Sequence, residues 1–175
     1  RPITAATDTA REETRRGLLW CYGFHHEEAL ACFARALEAD RDCPLAHWGR
    51  AYATGPNYNY HWDLMDPAGR AEALAAAHAY TAEALARSAH ASAEERALIE
   101  ALPMRYPQPD APEDVAIMDG WNADFADAMG AALAAHPDDL DIRTIYADAL
   151  LNLTPWRMWD LGTGRPAPGA RTEEA

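Results

Sequence analysis

Residues 24–33 read FHHEEALACF, and the stretch reads as the start of the second helix of a helix hairpin. Glu27 and Glu28 sit where a helix begins and its dipole favours negative charge. From there Ala29, Phe33 and Ala36 fall at intervals of four and three residues, the spacing of one helical face. Just upstream, Gly17 and Trp20 lie on another segment with helical patterning. Small residues allow two helices to approach closely, and an aromatic ring beside them fills the remaining space. The spacing predicts one helix over about 11–22, a turn through His25 and His26, and a second helix over about 27–39. Pro44 then suits the first turn of a further helix, because its missing N–H needs no partner there. Ala51 repeats the small residue 34 positions after Gly17. A hairpin recurring at such a period predicts an all-α array of stacked helix pairs.

The rest of the 175-residue chain continues the pattern and decorates it. After LAHWGRAYA the segment GPNYNYHWDLMDPAG, residues 55–69, is a turn-rich aromatic insertion, with a helix expected from about Arg70. Ser92-Ala93-Glu94-Glu95 reads as a capping box opening a third pair, whose first helix should stop near Leu102, before Pro103. A long helix is expected over about 113–135, a turn at 136–139, and another helix over 140–153 with Ala147 as its small contact residue. A second aromatic stretch, Pro155 to Leu161, follows. Trp62-Asp63-Leu64 and Trp159-Asp160-Leu161 stand 97 residues apart, Ala51 and Ala147 stand 96 apart, and the near-register reads as an internal duplication. Thr172 to Ala175 resembles the start of a further helix. The expectation is a single domain over 1–175, with units near 10–43, 44–91, 92–139 and 140–175, forming the N-terminal portion of a longer protein whose last helix is capped by further polypeptide.

Charge narrows the partners. Asp and Glu number 28 against 15 basic residues, for a net charge of −13. All 15 basic residues are arginine, a bias expected of a GC-rich bacterial genome. An acidic body repels phosphate, so neither nucleic acid nor an anionic membrane surface is an expected partner. No stretch of about 18 apolar residues is present. Cys21, Cys32 and Cys43 show no CxxC spacing, and a reduced, cytoplasmic setting is expected.

The frame of Gly17, Trp20, Ala29, Phe33 and Ala36, with its return at Ala51, resembles the tetratricopeptide repeat (TPR) superfamily, closely over 10–54 and again over 140–153. Within it, the two insertions GPNYNYHW and TPWRMW look like those of a bacterial subgroup of mostly unassigned function. The resemblance implies a right-handed superhelix of antiparallel helix hairpins whose concave face binds peptides or partner proteins. Carried over position by position, that face would present Arg11, Thr14, Leu18, Cys21 and Tyr22 in the first unit. In the second it would present Leu45, Trp48, Tyr52, Gly55 and Pro56. Such a groove is apolar and aromatic and lacks the basic and amide side chains that grip an acidic tail. A partner helix, a peptide or a small apolar ligand fits it better.

Two groups of residues are candidates for chemistry. Asn57, Tyr58, Asn59, Tyr60, His61 and Trp62 alternate amide and aromatic side chains, as small-ligand pockets do; equally, the rings would plug the gap an inserted loop creates. Trp156 and Arg157 repeat the theme. His25, His26, His47 and His61 could gather around a transition metal near the first two units. No metal-binding spacing supports this, and His26 stands where a buried packing residue is expected. The leading expectation is a binding or scaffold protein whose groove includes Leu18, Cys21, Tyr22, Trp48, Tyr52, Asn57, Tyr58, Asn59, His61, Trp62, Trp156 and Arg157. The alternative is a metal-dependent or acid–base enzyme whose pocket is roofed by the insertions.

Overall fold

A computed structural model describes every residue from Arg1 to Ala175. The protein is all-α: seven helices and one short hairpin of strands. The helices are α1 (Asp8–Tyr22), α2 (His26–Ala39), α3 (Pro44–Thr54), α4 (Pro67–Arg87), α5 (Ala93–Ala101), α6 (Ala116–Ala135) and α7 (Leu140–Leu151). Strands β1 (Trp159–Asp160) and β2 (Arg165–Pro166) pair antiparallel. Most helix starts have a local cause. Thr7 accepts from the Ala10 N–H, Asp66 from Ala68 and Gly69, and Asp139 from Ile142, each satisfying donors the helix leaves free. The capping box at Ser92 and Glu95 forms with both of its hydrogen bonds.

α1 and α2 are joined by three residues, which forces the chain to reverse and pack the two side by side. Phe33, fully buried, is the wedge between α1, α2 and α3. A Cβ added at Gly17 would lie 2.5 Å from its ring, and one at Gly49 would lie 2.3 Å away. Both glycines are therefore required by close approach, and the one on α3 is a neighbour of Phe33 that the period alone did not single out. Ala29, Ala36 and Ala51 are buried as expected. Trp20 differs: it is 41% exposed and tilts against the His25 ring at 5.2 Å instead of filling the helix contact.

α3 packs on α2 and α4 and reaches α5, where the Trp48 indole N–H donates to the Leu98 carbonyl at 3.0 Å. α6 packs on α5 and α7. The N-terminal residues strap these layers together. Ile3 is buried, the Thr4 N–H donates to Glu95 at 2.8 Å, and the Ala6 N–H donates to Asp40 at 2.6 Å. The Arg1 guanidinium lies 3.3 Å from Asp139 and 3.5 Å from Asp141, at the start of α7. A segment outside every helix thus bridges the α2–α3 turn, α5 and α7.

Several local expectations are corrected. α4 begins at Pro67 rather than near Arg70, because Asp66 caps it and proline suits its first turn. α6 begins at Ala116 rather than 113. The two Trp-Asp-Leu triplets adopt different structures despite their register. Trp62–Leu64 is a single buried-edge 3-10 turn, whereas Trp159 and Asp160 form β1, exposed, with Leu161 in the turn beyond it. Residues 172–174 form a turn rather than a helix start, held where Arg171 meets Glu174 and Asp127 at 2.8 Å.

Candidate functional site

The C-terminal end of α1, the end of α3 and one face of α7 enclose a cleft of about 200 Å³. α1 supplies Cys21 and Tyr22, and the turn after it supplies Phe24. α3 supplies Tyr52, and α7 supplies Thr144, Ile145, Ala147, Asp148 and Leu151. Seven of these nine residues are apolar or aromatic, and Asp148 is the one charged side chain among them. The place each residue takes follows from helix geometry: 144, 145, 148 and 151 share one face at three- and four-residue steps, and that face is turned toward α1.

At the inner end of the cleft the Tyr52 hydroxyl donates to Asp148 Oδ2 at 2.5 Å, and Asn152 Nδ2 donates to the same oxygen at 3.0 Å. The protein's hydrogen bonds to this carboxylate side chain both fall on Oδ2, leaving Oδ1 free. Tyr22 makes the parallel contact, its hydroxyl donating to Asp141 Oδ1 at 2.5 Å. Burial first, and the neighbouring carboxylate second, push both phenols far above the ordinary tyrosine range. Cys21, buried and facing the charge of Asp148, is likewise pushed up and stays a neutral thiol. Phe24 stands at the rim, 45% exposed, with φ at 57°. That left-handed backbone is costly for a bulky residue.

Behind Tyr52 lies a buried polar layer. Tyr52 stacks on Trp48, with ring centroids 4.9 Å apart and planes 11° from parallel. Arg105, almost fully buried, sits 5.7 Å from the Tyr52 ring and 5.1 Å from that of Phe125. Its Nη2 donates to the Pro56 carbonyl at 3.0 Å and its Nε to Asn122 at 3.2 Å, while Nη1 has no partner in the protein. It forms no salt bridge, so the Pro56 carbonyl, the Asn122 side chain and the aromatic faces around it are what compensate its charge. Tyr106 beside it presses its hydroxyl against Gly55, where a Cβ would stand 1.8 Å away. His26 Nδ1 donates to the Ala53 carbonyl at 3.3 Å, and burial holds this imidazole below the usual histidine range, in its neutral form.

The residues expected to line an open groove divide into three sets. Cys21, Tyr22 and Tyr52 do border the cleft. Leu18 and Trp48 are buried in the core, and α5 occupies the space in front of Trp48, so neither side chain meets a partner. Asn57, Tyr58 and Asn59 lie elsewhere, in a turn closed by an Asn57–Tyr60 bridge in which the Asn57 side chain accepts from the N–H groups of Asn59 and Tyr60. Trp62 is buried. His61 and Trp156 do meet, edge on at 5.4 Å, so the two insertions touch. Asp63 lies 4.0 Å from His61. Nearby Asp119 is raised by burial and by Asp63, against the opposing pull of His61 and Arg157.

The four histidines are not gathered. His26 turns to Ala53, His25 caps α2, His61 reaches Trp156, and His47 Nε2 donates to the Arg41 carbonyl at 2.9 Å. No group of three His, Cys, Asp or Glu side chains is placed to hold a metal ion. A larger open depression beside His47 collects Arg41, Arg50 and Arg87. Two of those charges are already occupied: Arg87 by Asp42 and Glu83, and Arg50 by the Tyr80 ring and hydroxyl. The sequence reading missed Phe24, Asp148, Asn152 and Arg105. One signal for Asp148 was present in the sequence: it follows Ala147 as Tyr52 follows Ala51, and the two side chains meet in the cleft.

Comparison with family models, with curated proteins and with solved structures gives no match for this chain.

Proposed function

We propose that the protein is a binding module built on tetratricopeptide-type hairpins, and that its α1–α3–α7 cleft holds one apolar group of a ligand or partner. The observation that carries this is the cleft itself, walled by seven apolar or aromatic residues with a single carboxylate at its inner end. A few placed polar atoms in an otherwise apolar recess are the usual build of a binding site. At about 200 Å³ the recess is smaller than the roughly 300–1,000 Å³ of pockets for drug-sized ligands. It suits one side chain or head group rather than a whole partner helix. The paired α1/α2 and α3/α4 hairpins and the wedge of Phe33 between Gly17 and Gly49 support the repeat reading.

Filling the cleft tests the proposal. Ala147→Trp places a bulky ring on the lining of the cleft. The probe is the carbon isostere of choline, a neutral alcohol with a tertiary-butyl end, titrated while tryptophan fluorescence is followed. Saturable binding by the parent protein, abolished in Ala147→Trp with the thermal midpoint preserved, is the expected result. Equal binding by both proteins would place the site elsewhere.

A second reading has one observation in its favour. Where the insertions meet, His61, Asp63 and the exposed Asp119 stand near Trp156 and Arg157, a grouping suited to acid–base work. His61→Ala separates the readings, since binding in the α1–α3–α7 cleft should be indifferent to it.

A further inference from the structure

We propose that the group held in this cleft is a small organic cation, a quaternary or trialkyl ammonium; the proposal rests on the binding reading above and names the ligand class. Three features converge on it. The cleft's lone charge is the Asp148 carboxylate, and its Oδ1 is left without a partner by the contacts of Tyr52 and Asn152 to Oδ2. No basic side chain lines the recess, so nothing within it competes for that oxygen. The remaining walls include the rings of Tyr22 and Phe24, whose π-electrons attract an ammonium.

Tyr52 contributes differently, because its face is already stacked on Trp48. Its hydroxyl proton is committed to Asp148, so the phenol oxygen offers lone pairs to a cation and no donor to repel it. Tyr22 is in the same state toward Asp141. Cys21, held as a thiol, adds a soft apolar wall. Arg105 is the opposing charge, and it is fully buried on the inner side of Tyr52, where the Pro56 carbonyl and Asn122 fix it. Ile145, Ala147 and Leu151 complete a surface suited to methyl groups rather than to a hydrated metal ion. A quaternary nitrogen, with a diffuse charge and no N–H donors, fits a site offering rings and one carboxylate oxygen. The acidic body as a whole favours its approach.

The test compares choline with its carbon isostere, the same shape without the charge, by calorimetry at matched ionic strength on the parent protein, Asp148→Asn and Phe24→Leu. Choline is expected to bind about tenfold more tightly than the isostere, the size of a desolvated cation–π contact with a carboxylate beside it. Asp148→Asn keeps the acceptor for Tyr52 and should remove most of that preference, leaving the isostere unchanged. Phe24→Leu keeps the apolar wall and should weaken choline selectively, so the proposal does not depend on Asp148→Asn folding. Equal affinity of the two probes would overturn the cation proposal and leave the binding reading standing. Binding of neither would overturn both. A preference for choline that survives both substitutions would place the cation elsewhere and overturn the assignment.

Discussion

Phe24 and Trp156 are the two non-glycine residues with positive φ, at 57° and 61°, and both are exposed aromatics on turns that follow a helix. A left-handed backbone costs a bulky residue roughly 1–2 kcal/mol. At Phe24 this backbone carries a ring that lines the rim of the cleft. Phe24→Gly should therefore raise stability by about 1 kcal/mol while weakening the ligand, a combination readable from urea melts and a choline titration on the same protein. The opposite sign is expected at Gly49. A methyl there would overlap the Phe33 ring at 2.3 Å, and Gly49→Ala should destabilise by about 1–3 kcal/mol. Pairing it with Phe33→Leu should recover part of the loss, which a double-mutant cycle of melts would show. His26 makes a pH prediction. Burial depresses its folded pKa below the ordinary value, so the unfolded chain takes up the proton first. Stability is then intact above about pH 6.5 and falls as the pH drops below it. His47 is depressed in the same direction by burial. His26→Gln should flatten part of the slope of urea midpoint against pH, and an unchanged slope would remove His26 from the account.

At the scale of elements, the sequence marked best what is local. The capping box at Ser92, proline in the first turn of α3 and the stop before Pro103 are short-range signals, and the chain obeys them. Ser92→Ala should cost about 1 kcal/mol, measured as a shift in the thermal midpoint. The insertions were harder to read. The second Trp-Asp-Leu repeats the first, yet it falls in a hairpin whose partner, Arg165–Pro166, has no counterpart after Leu64. Identical triplets took different forms because the residues after them differ: Met65-Asp66-Pro67 caps α4 at once, whereas Gly162 to Gly164 turns the chain back. Trp20 likewise carried the right residue type for a helix contact and points outward, since Phe33 with Gly17 and Gly49 already fills the space.

At the scale of the molecule, what the sequence could not show is which distant elements close over the groove. α1 and α3 were readable as its walls. That α5 covers Trp48 and α7 brings Asp148 to Tyr52 depends on contacts 50 and 96 residues apart in the chain, beyond any local pattern. Of the candidate site, Cys21, Tyr22 and Tyr52 were identified from their repeat positions, while its charge and its rim were not. The N-terminal strap was invisible for the same reason. Glu95, fully buried, receives the N–H groups of both Thr4 and Ser92. Glu95→Ala would leave both donors unpaired, and should cost about 2–4 kcal/mol and speed amide exchange at Thr4 and Ala6.

The measurement closest to the central claim is methyl-detected NMR of the isoleucines during a choline titration. Ile145 borders the cleft, whereas Ile3, Ile99, Ile117 and Ile142 do not. A saturable shift is expected at Ile145, with the other four nearly still. An unmoved Ile145, or a shift centred on Ile3 or Ile117, would contradict it.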